Sequence, residues 1–338
     1  DRMLEAGLIR ESESGWAAPM VIVRKKNTDE IRICCNWKQL NSQTIDDAYP
    51  TADPREVLAK AAGAKFISTI DLRKGFWQIE LDEASREYTA FRTHRGLMEF
   101  NVLGMGMKNS SKCMQRLTNL LLRGCEKFVS NLLDDFVVHS MTFEDHLKHL
   151  REVLTRLRNA KLTANVRKSH FLTRSIGVLG HTLEDGVIKP SLDKIQAIVT
   201  MKRPLLKTHL RSFIGLANYY SHFQYHFADI VAPLNDLLKK YQPEKLNWKP
   251  QHEVAWQQIK TNLIQRPVLV APNHTKPYIL QTDASDYGIS AILVQLDDNG
   301  IEHVVSYSSR KLLPRETRYS VIEKECLAIL HGLFKHDN

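Results

Sequence analysis

Long hydrophobic runs are missing from this 338-residue chain. None approaches the roughly 20 consecutive apolar residues of a membrane-spanning helix, so no membrane partner is expected. Cysteine is scarce: Cys34, Cys35, Cys113, Cys125 and Cys326 form an odd set without CxxC spacing. That argues against a structural zinc site or a disulfide framework and for a reducing compartment. No secretory signal opens the sequence, so an intracellular site, cytoplasmic or nuclear, is expected rather than secretion. Internal repeats and low-complexity tracts are also lacking. There is no initiating Met; Asp1 stands inside a helical pattern (Met3, Leu4, Ala6, Leu8, Ile9), as expected of a fragment.

What the chain does have is the balance of a soluble globular protein, 43% hydrophobic and 25% charged. Its length suits two or three domains rather than one core. The net charge of +9 favours a polyanionic partner, a weak signal alone.

Carboxylates at strand ends carry the chemical signal. Leu132-Leu133-Asp134-Asp135 lies between Phe128-Val129 and Phe136-Val137-Val138, which reads as a β-hairpin. Adjacent strand residues point to opposite faces, so an Asp pair at a hairpin tip is poor core material; the plain alternative is a solvated turn. Upstream, Phe66-Ile67-Ser68-Thr69-Ile70-Asp71 is an apolar strand that also ends in Asp. Three carboxylates on two strand ends make the oxygen-rich site that holds paired Mg²⁺ ions, with Mn²⁺ as a substitute, for phosphoryl transfer.

Around these acids the pattern predicts a hairpin, Met20–Val23 and Ile31–Cys34, whose basic turn is flanked by Lys25 and Arg32. It also predicts a helix ending at Gly63, an alternating strand over 76–82, a helix from Ser111, and a long amphipathic helix from His146 to Leu162. Strands return over 168–188. Residues 192–240 read as helical, broken at Pro204 and Pro233, with Lys207 and Arg211 adding positive charge. Tyr219 and Tyr220 read equally as packing between helices. After a polar linker near 241–250 the order is helix, three strands and helix, with Asp283 ending the first strand and Glu325 on the last helix.

The ordered blocks Trp16-Ala17-Ala18-Pro19, Asp46-Asp47-Ala48-Tyr49-Pro50, Ile70–Phe76, Thr89–Thr93, Gln115-Arg116-Leu117, Leu133-Asp134-Asp135, Leu179-Gly180-His181, Leu210–Tyr220, Gln281–Ser285 and Glu323–Ile329 resemble the Pol polyprotein of gypsy-like LTR retrotransposons. The resemblance implies an α+β right-hand polymerase: fingers and palm over 1–185, thumb and connection over 186–245, and a ribonuclease H-like domain over 246–338. It implies an RNA-directed DNA polymerase that takes an RNA or DNA template with primer and deoxynucleoside triphosphates. Asp71, Asp134 and Asp135 then match the catalytic metal ligands, and Lys25 and Arg32 the clasp on the triphosphate. Phe76 matches the aromatic beneath the incoming sugar, where it could equally be a core ring. Met105 and Gly106 match the loop beside the nucleotide, and Leu132 the residue near the primer terminus. Leu179, Gly180 and His181 match the primer grip, Lys207 and Arg211 being thumb candidates for phosphate contact. Asp283 and Glu325 match two acidic ligands of ribonuclease H, whose remaining two carboxylates the family places further downstream, leaving this nuclease incomplete.

Several positions depart from that pattern. Leu132 stands where the family has Tyr, Gly104-Met105-Gly106 where Pro-Phe-Gly is usual, Ser110-Ser111 for Ala-Pro, and Asn36 for Asp. Loss of two prolines is expected to loosen the loop beside the nucleotide. These departures support the alternative of a decayed copy that binds nucleic acid without catalysis.

Overall fold

The computed structural model describes residues 2–24, 31–265 and 268–336, in two compact units. One joins residues 1–57 to 65–173, the other 58–64 to 174–338.

The first unit is built on an antiparallel sheet ordered Val129–Leu132, Asp135–Ser140, Phe66–Asp71, His170–Thr173. Its central strands are apolar because they are covered. Ile70, Phe136 and Val138 pack with Met114 of helix Ser110–Leu121 and with Leu150, Val153 and Leu157 of helix Phe143–Asn159. The last three recur at helical spacing, so one face of a charged helix is buried. Thr142 caps that helix by accepting from the Asp145 N–H, satisfying one of the orphan donors of its first turn. Each such side chain, fully buried, stabilises by about 1.5–3 kcal/mol.

A second core holds Trp37, Phe91, Met98, Phe100 and Val102. It underlies the sheet Ile9–Glu11, Gly96–Phe100, Phe91–Thr93 and the hairpin Met20–Arg24 with Ile31–Cys35. The strand expected over 76–82 does not form. Lys74 turns left-handed (φ 54°) and Gly75–Gln78 is a 3₁₀ turn. Phe76 and Ile79 pack on the first core while Trp77 and Leu81 pack on the second. Serving two cores requires a spacing near three, not two, which a short apolar run does not reveal.

In the second unit, Ser175–Val178, His181–Glu184, Val187–Pro190 and Leu269–Val270 form one sheet in that order. Helices Leu192–Val199, Lys207–Tyr219, Phe227–Asp236 and Pro250–Ile264 follow the hairpins. Pro233 lies inside a helix instead of breaking it; there it forfeits the one bond its N–H would make to the fourth preceding carbonyl. The antiparallel sheet Ile279–Ala284, Gly288–Leu296, Glu302–Lys311 carries helix Val321–Lys335. Gly332 permits close approach there, since a Cβ would lie 2.9 Å from Leu280 Cδ2.

One polar thread crosses the first core. His146 is fully buried, with Nε2 2.7 Å from Ser68 Oγ and Nδ1 2.9 Å from Ser140 Oγ. Burial holds its pKa below the usual value of 6.5, so it is neutral in the fold and titrates upward on unfolding. The stability this lends is present above pH 6.5 and is lost as pH falls through the depressed folded value. The opening free energy of strand Phe66–Asp71, taken from hydrogen exchange after division by the intrinsic rate at each pH, is expected to fall on acidification below about pH 6.5. His146→Gln should flatten that dependence; an unchanged pH profile in the variant would refute the assignment.

Candidate active site

The Asp pair sits on a hairpin whose strands close at Leu132 opposite Asp135, leaving Leu133 and Asp134 in the turn. Asp71, the last residue of its strand, is the register partner of Asp135, the first residue of the next. Strand ends therefore bring all three carboxylates to one edge of the first unit's sheet. The turn is held against strain: Leu133 takes a left-handed φ of 55°, which costs a non-glycine residue about 1–2 kcal/mol. Its N–H donates to Gln115 Oε1 at 3.0 Å, and the Asp134 carbonyl accepts from the Leu72 N–H at 3.1 Å. Gly75 packs under the turn so tightly that a Cβ would lie 2.8 Å from Asp134 Cβ.

The carboxylates are electrostatically crowded. Burial, then the charges of Asp134 and Asp71, push the Asp135 carboxyl up to about 6. Asp135 is open at the surface, yet protein mass on most sides thins the water around it. Asp134 is raised too, by burial first and by Asp71, against the pull of a backbone N–H and Lys168. Lys168 Nζ lies 3.2 Å from Asp71 Oδ2, while Asp71 Oδ1 is buried without a hydrogen-bond partner. A buried, unpaired carboxylate oxygen is costly, and a cation would relieve it. Among the described residues no three His, Cys, Asp or Glu side chains already converge as a cation cage. The donor set fits Mg²⁺ all the same, because that ion takes one or two carboxylates and fills its shell with water and substrate phosphate.

Other expected residues fall around this edge or away from it. Phe76 is partly buried against the first core. Met105 and Gly106 line a cavity of about 660 Å³ with Trp37, Asn36 and Asn41. Their loop, expected to be loose without its prolines, is tied at every carbonyl: Ser110 Oγ donates to Gly104 O (2.7 Å), Trp37 Nε1 to Met105 O (2.9 Å), and Asn41 Nδ2 to Gly106 O (3.0 Å). Side-chain bonds here replace proline's covalent stiffness. Lys25 lies outside the described residues. Arg32 is on strand Ile31–Cys35 opposite Val23, its side chain also outside them. Leu132 is half-buried as the last residue of its strand.

In the second unit, Leu179 and Gly180 form the turn between Ser175–Val178 and His181–Glu184, and His181 is buried. Arg211 is exposed on helix Lys207–Tyr219. Lys207, expected to meet phosphate, does not face solvent. It is 4% exposed, and its ammonium donates to the Lys239 and Gln242 carbonyls at 2.8 and 2.6 Å. A lysine beside a helix end can serve unfilled carbonyls as readily as an anion.

Asp283 sits near the end of its strand and Glu325 in the first turns of helix Val321–Lys335. Both charges reach the Tyr225 hydroxyl, whose pKa rises through burial first and then through each of them. His226 Nε2 lies 3.5 Å from Asp283 Oδ2 and its Nδ1 3.6 Å from Asp229 Oδ2. Tyr225, His226 and Asp229 were invisible to sequence patterning, since nothing local marks a helix start as a neighbour of a strand 54 residues on (Asp229 to Asp283). Lys168 is equally unmarked. Gln115 was legible in principle: it is fully buried in a stripe with Met114 and Thr118, and a buried amide demands a partner.

Residues 23–183 match the family described as reverse transcriptase (RNA-dependent DNA polymerase), and residues 248–338 the RNase H-like domain found in reverse transcriptase. The chain is 37% identical over 341 aligned residues to the retrovirus-related Pol polyprotein from transposon 297 of Drosophila melanogaster, covering 99% of this chain and 32% of that protein. The chain carries a reverse transcriptase domain and an RNase H-like domain, and its homologues are Pol polyproteins of retrotransposons. A transposon Tf2 polyprotein of Schizosaccharomyces pombe is 32% identical, over 98% of the chain and 25% of its own length. The chain thus spans between a quarter and about a third of these curated relatives. The foamy viral protease-reverse transcriptase dRH, solved in complex with double-stranded DNA, superimposes with a TM-score of 0.87 at 22% identity, over 99% of this chain and 58% of that one. The same viral protein solved with an RNA/DNA hybrid gives 0.85, also at 22%, over 98% and 44%. These likenesses show the fold, a reverse transcriptase followed by an RNase H-like domain.

Within the reverse transcriptase domain, the close approach of Gly75 to Asp134 generates a test. Gly75→Ala is expected to cost about 1–3 kcal/mol by overpacking, read as a lower urea midpoint. A midpoint equal to that of the parent would mean that the turn is free to move aside.

Proposed function

We propose that residues 1–338 form an RNA-directed DNA polymerase of a retrotransposon, extending a primer 3′-hydroxyl on an RNA or DNA template. One observation carries the reading: Asp71 stands in register with Asp135 at the edge of a covered sheet, with Asp134 in the adjoining turn. Asp71, Asp134 and Asp135 are assigned as the groups that hold divalent cations. Mg²⁺, or Mn²⁺ in its place, would supply activation of the 3′-hydroxyl and neutralisation of charge on the transferring phosphate. Lys168 offsets the Asp71 charge before substrate arrives. Lys25 and Arg32 are assigned to the triphosphate, Phe76 to the face of the sugar, and the tied loop at Met105 and Gly106 to the nucleotide's other side. Leu132, Leu179, Gly180 and His181 are assigned to the primer strand, and Arg211 to phosphate. Lys207 is withdrawn from that set because its ammonium is buried and bonded to two carbonyls. Fingers and palm would occupy 1–185, the thumb and connection 186–245, and the RNase H-like domain 246–338. Asp283 and Glu325 are the acids proposed for the latter. Two carboxylates are too few to hold a tight pair of Mg²⁺ ions, each of which stays largely hydrated, so hybrid cleavage by this polypeptide is not expected.

Asp134→Asn should abolish extension of an oligo-dT primer on poly-rA with Mg²⁺ while leaving the thermal unfolding curve in place. Extension by the variant at the parental rate would sink the polymerase assignment. No extension by the parent, with salt-sensitive hybrid binding retained, would favour binding without catalysis, the reading that Leu132 suggests.

A second test uses the crowding. A carboxyl raised to about 6 lends its stability fully below its ordinary value, and that stability is lost as pH rises through about 6. Added Mg²⁺ should therefore raise Tm most above about pH 6 and much less below it. Asp135→Asn should raise the metal-free Tm at neutral pH and blunt the Mg²⁺ response. A Mg²⁺ effect equal at both ends of the range would show that these carboxylates are not its origin.

A further inference from the structure

The turn Leu179-Gly180 is held by more donors than a hairpin turn requires. Both residues are left-handed, with φ of 48° and 73°, as a two-residue turn between twisted strands demands. Gly180 adopts this freely; Leu179 pays a steric penalty because of its Cβ. The two turn carbonyls are each doubly engaged. Leu179 O accepts from Tyr219 Oη at 2.5 Å and from His181 Nδ1 at 2.9 Å. Gly180 O accepts from Tyr220 Oη at 2.8 Å and from the Ser191 N–H at 3.0 Å.

The donors are themselves fixed. Tyr220 is 1% exposed, and its hydroxyl is pushed up to about 12, first by burial, so it remains a donor at any working pH. His181 is 1% exposed among Tyr219, Tyr220, His222 and Phe223, with ring centroids 5.4–5.6 Å away. Because its Nδ1 faces a carbonyl, that nitrogen carries the proton, and burial holds the ring's pKa below its ordinary 6.5, which favours the neutral form. Space is closed as well: a Cβ on Gly180 would lie 3.2 Å from Tyr220 Oη. Two adjacent tyrosines at the end of helix Lys207–Tyr219 thus pin two adjacent turn carbonyls 40 residues upstream.

We propose that Tyr219 and Tyr220 are positioning residues for the primer strand: they lock the strained Leu179-Gly180 turn in the one shape that contacts primer backbone. The inference rests on the assignment of that turn to the primer. It differs from plain packing because the hydroxyls, not the rings, do the holding, and because the strain at Leu179 makes the turn dependent on them.

The test measures hybrid binding by fluorescence anisotropy on the whole chain, with an RNA template annealed to a labelled DNA primer, and needs no catalysis. Tyr219→Phe with Tyr220→Phe keeps both rings. The dissociation constant should rise about tenfold, as expected for two lost hydrogen bonds, with Tm only slightly lower. Leu179→Asn, which tolerates the left-handed backbone, should restore most of the affinity when added to the double variant. In extension assays the KM for primer–template should rise while the KM for the deoxynucleotide stays unchanged. Leu179→Asp serves as the control on the underlying assignment, since a carboxylate facing a phosphate backbone must repel it. If Leu179→Asp weakens binding but the double Phe variant does not, the clamp is wrong. Failure of Leu179→Asn to rescue overturns it too, because the loss then does not pass through the turn. If Leu179→Asp has no effect, the turn does not meet the primer, and the clamp falls with that assignment. Tyr219→Phe alone, at a partly exposed position, gives the same reading should the double variant unfold.

Discussion

Repulsion among Asp71, Asp134 and Asp135 is the constraint on which the first unit is organised. Three carboxylates at one sheet edge would separate if their backbones were free; a register pair and a turn hold two of them to the third. Burial and mutual charge raise Asp134 and Asp135 above their ordinary range, so this carboxylate cluster works against the fold at neutral pH. One oxygen of Asp71 is left without a partner. Local instability of this kind is what a cation-binding site stores and what its ion relieves.

The scaffold absorbs that stress through bonds that run back into rigid parts. Gln115 holds the turn, Gly75 gives it room, and Ser68 with His146 and Ser140 ties the central strands to the covering helix. The loop at Gly104-Met105-Gly106 shows the same economy of means. It lacks the prolines usual in its family, yet Ser110, Trp37 and Asn41 engage each of its carbonyls. Rigidity of this loop is thus reached by hydrogen bonds from three separate side chains.

The second unit spends its polar side chains on its own backbone. Lys207 and Lys260 are buried and donate to carbonyls that neighbouring segments leave open; Tyr219 and Tyr220 do the same for a hairpin turn. Basic and aromatic residues that pattern alone assigns to nucleic acid are here divided, some bonded to the unit's own backbone and others, such as Arg211, left exposed.

Sequence by itself determined the strands that end in Asp71 and flank Asp134-Asp135, the long helix behind them, and the order of three strands and a helix around Asp283 and Glu325. Apolar periodicity and turn residues are local, and these elements are long enough for the local signal to dominate. Family likeness then named the acids. Tertiary structure alone decided that Phe76 through Leu81 would serve two cores and so abandon the strand, that Pro233 would stay within a helix, and that Lys207 would turn inward. It alone brought Lys168 to Asp71, and His226 and Asp229 toward Asp283. The reason is physical: the partner of a buried polar group is set by where distant segments meet, and an identical lysine reads the same in sequence whether its ammonium finds a phosphate or a carbonyl.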